Sequence, residues 1–514
     1  MNHQGMVATS QPLAVDAAVN VLRGGGNAVD AAVCAAAMLN VVEPMSTSIG
    51  GDCFAIVYEA KTGKLHGING SGRTPKAASI EAIKAAGHQN MPQQGILSVS
   101  VPGALHAWQA LLDKLGTKPL AEMLQPAIQA AADGFELTPI IARDWAAQQR
   151  KLEQGVNTQH FLPNGCPPQL GERFKQPDLA QSLTLIAEQG TQAFYEGSLA
   201  DAMVAQSEKL NGWFTHEDFA MHTSEWVEPI TTDYRGFTVC QLPPNGQGVI
   251  TLEALNILEG YDLASMSLEE RSHVQIEALK LAFADAWQYV ADPAMVDVPT
   301  DRLISKSYAE QRRQLIGENA LQDPTHGFPD SGTIYVTVVD QEGNAASFIN
   351  SIYMHFGSKV VAEGTGIVLQ NRAALSSLDS NHPNALGSAK RPYHTIIPPM
   401  VLKDGKPHLC FGVVGGFQQP QAQVQILNHM LDLGADVETA LNAPRFRWME
   451  KAKVTFESAF DRDVTERLKA RGHGYLDGSG FGGFGGAQAI QIDRASGGFS
   501  GASDPRKDGC VKHT

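Results

Sequence analysis

The sequence predicts an α+β protein in which sheets are covered by helices, and three features of the chain carry that expectation. Strand-like stretches gather toward both ends, whereas helical spacing dominates from about residue 80 to residue 320. Turns rich in Gly, Asp, Asn and Thr join strands into hairpins at Lys61-Thr62-Gly63, at Asp340 to Asn344 and at Lys403-Asp404-Gly405. The 514 residues are 43% hydrophobic and 18% charged, the balance of a soluble globular chain able to bury a sizeable core. That length could hold about two to four average domains, and one large layered unit also accommodates it.

In chain order, Ala14, Ala17, Ala18, Val21 and Leu22 recur at helix spacing after Pro12, and Gly24-Gly25-Gly26 stops that helix. Asn27 caps a second, alanine-rich helix from Ala28 to about Leu39, whose small side chains allow close packing. Glu43-Pro44 ends it. A loop of small residues, Ser46 to Asp52 with Gly50-Gly51, leads to a strand at Phe54 to Glu59 and its return at Leu65 to Ile68. The turn from Asn69 to Pro75 that follows reads either as a polar loop or as backbone set beside a ligand.

In the helical middle, Val101-Pro102-Gly103 opens a helix bearing Trp108 and Leu111, and Pro126 to Ala132 begins another that ends near Gly134. Thr215 to Asp218 reads as a capped helix start, and Trp226 to Val239 as strands. Pro243 to Gly248 precedes a helix through Ile257. His273 to Ala291 forms a longer helix, with His273, Glu277, Lys280 and Asp285 on roughly one side as solvated or interhelical pairs. Further strands are expected at Thr365 to Asn371, Tyr393 to Leu402, His408 to Val414 and Ala487 to Ile492. A helix is expected from about Pro420 to Leu433, and a loop at Gly501 to Arg506.

The stretch from Asp330 to Gly357 stands at the centre of this pattern. A loop of Pro, His, Gly and Asp ends at Thr333, where the sequence changes at once to β-branched and aromatic residues. Asp340, Gly343 and Asn344 supply the turn, and Ala346 to Tyr353 return as a second strand. An ordinary surface loop entering a hairpin has this local pattern, and so does a threonine exposed by self-cleavage. Cutting the Gly332–Thr333 bond would place an α-amine, with an ordinary pKa near 8, beside a hydroxyl that it can activate as base.

Several classes are excluded. The net charge of −15 argues against nucleic-acid and anionic-membrane surfaces as partners. Six dispersed cysteines lack metal or CxxC spacing and read as free thiols, and the sixteen histidines form no metal-binding pattern. The start has no basic region and apolar core of a signal peptide, and no run has the length of a membrane span, so a cytoplasmic location is expected. Gly478, Gly480 and Gly483 match GxGxxG but precede a strand, which removes dinucleotide binding, and Walker A, HExxH and GxSxG strings are absent. Gly415-Gly416, between a strand and a helix, could present N–H groups to an oxyanion. Arg372, Lys390, Arg391 and His394 supply cationic groups for a carboxylate, although each alone is more often a surface residue.

The chain resembles the γ-glutamyltransferase (glutathione hydrolase) family along nearly its whole length. The strings that carry the likeness are Leu22 to Ala32, Val41 to Gly51, Pro102-Gly103, Gln125 to Ala127, Pro243 to Gly248, Glu277 to Asp285, Gly415-Gly416 and Gly501 to Arg506. The resemblance implies a four-layer αββα fold of the N-terminal-nucleophile hydrolase type. It also implies a proenzyme cut into a large chain, 1–332, and a small chain, 333–514, folded as one unit, with a dimer of such pairs as an allowed assembly. Thr333 becomes nucleophile and base, Ser351 takes the place of a supporting threonine, and Gly415 and Gly416 form the oxyanion hole. No cofactor or metal is expected, and the partner is a small-molecule amide.

Departures from the family pattern gather in the substrate pocket. Ser71 stands where the family's transferases have a carboxylate-binding arginine, with Arg73 two residues away. Leu375 replaces an acidic residue, His394-Thr395 replace a pair of serines, Tyr353 replaces a polar residue, and Arg372 occupies another contact position. The family's lid loop would fall near Leu375 to Asn384. This pattern is similar to the cytoplasmic glutathione-hydrolase-like branch and to relatives acting on oxamate or glutaryl amides. The expected function is hydrolysis, or acyl transfer, of γ-glutamyl or related carboxylate-bearing amides. The alternatives are an amidase for oxamate, an acylase for glutaryl-type amides and, from another class, an unprocessed binding protein.

Overall fold

Two antiparallel sheets form the centre of the structure. The computed structural model describes residues 5–323, 332–476, 483–493 and 496–514. Residues 324–331 before Gly332, and Gly478 and Gly480 of the glycine-rich string, lie outside them. The seven-stranded sheet runs, edge to edge, Cys510–His513, Met6–Thr9, Gly332–Val339, Ala345–Tyr353, Asp52–Glu59, Lys64–Gly70 and Glu225–Val227. The six-stranded sheet runs Gly498–Ser503, Ala487–Asp493, Lys406–Val413, Met400–Lys403, Phe237–Gln241 and Ile230–Tyr234.

Side-chain alternation along each strand sorts residues between two environments. In the strand from Gly332, Ile334, Val336 and Val338 pack with the alanine-rich helix Ala28–Val42, while Tyr335 and Val339 join a cluster drawn from both sheets. Phe54 and Ile56 enter that shared cluster from the first sheet, and Met400, Cys410 and Ile490 from the second. The far side of the six-stranded sheet packs Val401, Leu409 and Phe411 against helices Gly248–Leu258 and Leu268–Tyr289. All fifteen residues of Ala28–Val42 are buried. Its start is fixed by a capping box, since the Asn27 side chain accepts from the Val29 and Asp30 amides and Asp30 accepts from the Asn27 amide.

Local expectations fail where burial or long-range bonding outweighs pattern. The helix expected to begin at Pro126 begins at Leu120, with Pro126 inside it, because Leu120, Met123, Leu124, Ala127 and Ala131 make one continuous buried face. Thr365 to Asn371 is not a strand; its backbone bonds to scattered neighbours, as in Gln370 N–H to Gly50 O at 2.9 Å. Of Tyr393 to Leu402 only Met400 onward is strand, while Gly501–Ser503, expected as loop, belongs to the strand Gly498–Ser503. The helix expected to reach Leu433 is α-helical over Gln418–Leu427 and continues as a π-turn. The four-residue strands Met6–Thr9 and Cys510–His513 carry no strand signal long enough to read alone.

Candidate active site

Thr333 is the second residue of its strand and shares the face of Tyr335 and Val339, toward the other sheet. It is buried, and its Oγ1 lies 3.1 Å from Ser351 Oγ on the adjoining strand. Strand register shifts between Asn350 and Tyr353, so the chain bulges at Ser351. Gly51 permits the close packing there, because a Cβ on it would stand 2.3 Å from the Ser351 carbonyl oxygen.

Ser351 Oγ accepts the Tyr353 amide at 2.9 Å and Arg372 Nη2 at 3.1 Å. Two donors thus fill its acceptor side and direct its own O–H toward acceptors, Thr333 Oγ1 among them. Arg372 also donates through Nη1 to Thr395 Oγ1 at 2.8 Å, and its guanidinium lies 4.8 Å over the Tyr353 ring. Tyr353 is held in the left-handed region, at φ 74°. Burial lowers the Arg372 pKa to about 10, against the attraction of Asp52, so the group stays cationic at neutral pH.

Asp52 ties these segments together, and sequence reasoning placed it only at the end of a loop. Opposite Ser351 in strand register, it accepts from the Gly72 amide (3.0 Å), the Gly103 amide (3.1 Å) and Gln370 Nε2 (2.9 Å) through Oδ1. Its Oδ2 meets His394 Nε2 at 3.0 Å. Burial alone would raise the Asp52 pKa, but the hydrogen bond and charge of His394, then Arg372 and Gln370, hold it below the ordinary carboxyl value. Burial and the Arg372 charge push His394 down to about 4, with Asp52 opposing. The neutral ring accepts the Ile396 amide at Nδ1 (3.3 Å) and therefore donates from Nε2 to Asp52. An acid at the head of the apolar run Cys53 to Tyr58 was the available sequence signal.

Gly415 and Gly416 follow the strand Lys406–Val413, at φ 111° and 57°. Their carbonyls accept the Gln418 and Gln419 amides and so start the next helix. Neither glycine amide donates a hydrogen bond among the described residues. Gln247 Nε2 bonds both the Gly416 carbonyl (2.9 Å) and the Thr395 carbonyl (2.7 Å), which links the pair to the Arg372 network.

Ser71 and Arg73 lie on a separate flank. Ser71 Oγ donates to Asn69 Oδ1 at 2.7 Å and accepts from Asn245 Nδ2 at 3.2 Å. Arg73 Nη2 and Arg391 Nη1 share Glu225 Oε1, at 2.9 and 2.6 Å, so neither arginine joins Thr333, Ser351 or Arg372 by a hydrogen bond among the described residues. Lys390 is spent on the Pro383 and Ala385 carbonyls.

Among the described residues, His273, Glu277 and His473 are close enough to share a metal ion. Each side chain already has one partner: His273 Nδ1 meets His473 Nε2 at 2.8 Å, and Lys280 Nζ lies 2.7 Å from Glu277 Oε1. The ammonium, one turn along the same helix, supplies the cation this buried carboxylate needs, so the carboxylate is paired within its own helix and not with solvent or another helix.

Thr333 thus heads a central strand 3.1 Å from the Ser351 hydroxyl, and the Gly415 and Gly416 amides donate no hydrogen bond among the described residues. A family profile described as gamma-glutamyltranspeptidase matches residues 14–514, and the chain belongs to that family. It is 41% identical over 524 residues to the glutathione hydrolase-like YwrD proenzyme of Bacillus subtilis (strain 168), covering 98% of each chain. It is 32% identical to the oxamate amidohydrolase proenzyme of Klebsiella pneumoniae, over 99% of this chain and 98% of the relative. The crystal structure of a cephalosporin acylase from Bacillus halodurans matches with a TM-score of 0.95 at 44% identity, over 99% of this chain and 96% of that one. Amide hydrolysis or acyl transfer is therefore the class of activity. No helix among the described residues is long and apolar enough to cross a membrane.

Proposed function

We propose that the chain is a self-cleaving threonine hydrolase, cut between Gly332 and Thr333 into chains 1–332 and 333–514 that remain one αββα unit. The observation that carries this reading is the hydrogen-bonded series Thr333 Oγ1, Ser351 Oγ and Arg372 at the head of the central strand. The freed Thr333 amine takes the proton of its own hydroxyl as that oxygen attacks the amide carbonyl. Ser351 stabilises the attacking oxygen, and the Gly415 and Gly416 N–H groups receive the charge that develops on the carbonyl oxygen. Collapse breaks the C–N bond, the amine leaves with the proton, and water resolves the acyl ester.

Arg372 suits the substrate as a carboxylate-bearing amide. Leu375, Tyr353 and the neutral His394 supply no anion for an α-ammonium, which favours acyl groups without one over γ-glutamyl groups. Thr395 would act on the pocket through Arg372. The test is mass analysis of the small chain, acid-quenched during turnover of monoamides of dicarboxylic acids. The expected result is an acyl adduct on Thr333 in the wild type and neither adduct nor turnover in Thr333→Ala. Turnover retained by Thr333→Ala would overturn the assignment.

A further inference from the structure

A partly enclosed cavity of about 310 Å³ lies between the helix Leu268–Tyr289 and the π-turn Asn428–Asp432, and no residue placed at the candidate active site is in its walls. It is about twice the apolar cavity of roughly 150 Å³ that takes a benzene, so it has room for an aromatic ring and a polar group. Leu268, Leu433, Phe446 and Phe460 give it apolar walls. The helix Gln418–Leu427, ten residues and so about 15 Å long, separates it from the Gly415-Gly416 pair. Gln425, at the far end of that helix, fixes the wall by accepting the Phe446 amide and donating to its carbonyl, each at 3.1 Å.

Two polar side chains in the wall are uncommitted. Arg271 spends Nη1 on the Leu263 and Met266 carbonyls, both at 3.3 Å, while its Nε and Nη2 have no hydrogen bond and the side chain no ion pair among the described residues. Burial lowers its pKa against the attraction of Asp432. His429 makes no ring hydrogen bond among the described residues. Burial and the charges of Arg271 and Arg445 push its pKa down to about 4, so at neutral pH the ring offers one N–H. The acids nearby are taken. Asp432 pairs with Arg235 at 2.7 Å and accepts from Tyr234 and Asn428, and Asp461 accepts the Asp463 and Val464 amides through Oδ1 as a helix cap. A half-buried cation without a counter-ion, set among apolar walls, suits an anion with an apolar body.

We propose that this cavity is a second binding site, separate from the catalytic one, for a small aromatic monocarboxylate. The carboxylate takes the Nε and Nη2 donors of Arg271, with the His429 N–H beside them, and the ring packs against Phe446 and Phe460. Binding there requires neither chain cleavage nor Thr333.

The experiment titrates phenylacetate, and its neutral analogue phenylacetone, by calorimetry into the wild type, Arg271→Met and Arg372→Met, each first checked for cooperative thermal unfolding. The wild type and Arg372→Met are expected to bind phenylacetate alike and at least about 10-fold more tightly than phenylacetone. Arg271→Met is expected to lose about that factor on the acid, the scale of a hydrogen bond to a charged group. Wild-type crystals soaked in para-bromophenylacetate locate the acid without any substitution, and bromine anomalous scattering is expected against Phe446 and Phe460. Affinity lost in Arg372→Met and kept in Arg271→Met, or bromine beside Arg372 alone, would put the acid in the catalytic pocket and overturn the second site. No binding by the wild type at millimolar phenylacetate would overturn it as well. Should Arg271→Met fail to fold, the bromine position decides.

Discussion

His394 shows how one side chain reports on its surroundings through pH. Its ring packs on Phe54 with centroids 4.6 Å apart and is wholly buried, so the folded protein holds it neutral with a pKa of about 4, against an ordinary 6.5. Above pH 6.5 neither folded nor unfolded chain carries this proton, and the group contributes no pH dependence. Between pH 6.5 and 4 the unfolded chain binds it and the folded one does not, so stability falls as pH falls, and the loss levels off below about 4. One such proton is worth up to about 1.4 kcal/mol per pH unit. Urea unfolding at a series of pH values should therefore show a slope shallower by roughly that amount in His394→Gln; an unchanged slope would mean that the ring is charged when folded. At this scale Thr333 and Ser351 were legible as hydroxyls in neighbouring strands, and they stand 3.1 Å apart. Asp52 was not legible, because its partners come from residues up to 342 positions away.

Among the elements, the hairpin between the two central strands does more than reverse the chain. Buried Asp340 accepts the Glu342 and Asn344 amides through Oδ1, at 3.1 and 2.8 Å, and the Ala28 amide through Oδ2 at 3.0 Å. One carboxylate thus closes the turn and caps the helix beneath the sheet. Asp340→Ala would strand buried donors on two elements and is expected to cost about 1–3 kcal/mol in denaturant unfolding; a loss below about 0.5 kcal/mol would contradict that role. The turn itself was legible from Asp340, Gly343 and Asn344, with Gly343 at φ 86°. The contact with Ala28 was not, since turn chemistry is local and helix capping from 312 residues away is not. The same distinction explains Thr365 to Asn371, where β-branched and aliphatic residues suggest a strand but the backbone finds partners one residue at a time. It also explains Pro126, whose breaking tendency yields to a buried helical face on both sides of it.

Over the whole molecule, the proposed cut separates sequence without separating structure. Met6–Thr9 of the large chain pairs on one side with Cys510–His513 and on the other with Gly332–Val339, both of the small chain. Asp52–Glu59 of the large chain pairs with Ala345–Tyr353 in the same way. Buried pairing across the cut extends to His273 with His473. Layered sheets under helices could be read from the alternation of patterns along the chain, but the interleaving of two future chains could not, because Met6–Thr9 and Cys510–His513 are too short to announce themselves. The central claim is that this chain cuts itself before Thr333. It is tested most directly by intact mass under denaturing conditions of freshly purified wild type and Thr333→Ala, with gel filtration of both in native buffer. Two wild-type fragments are expected, the smaller beginning at Thr333, that travel together until denatured, with a single uncut chain in the mutant. A wild-type chain that stays whole, or one cut equally in Thr333→Ala, would contradict it.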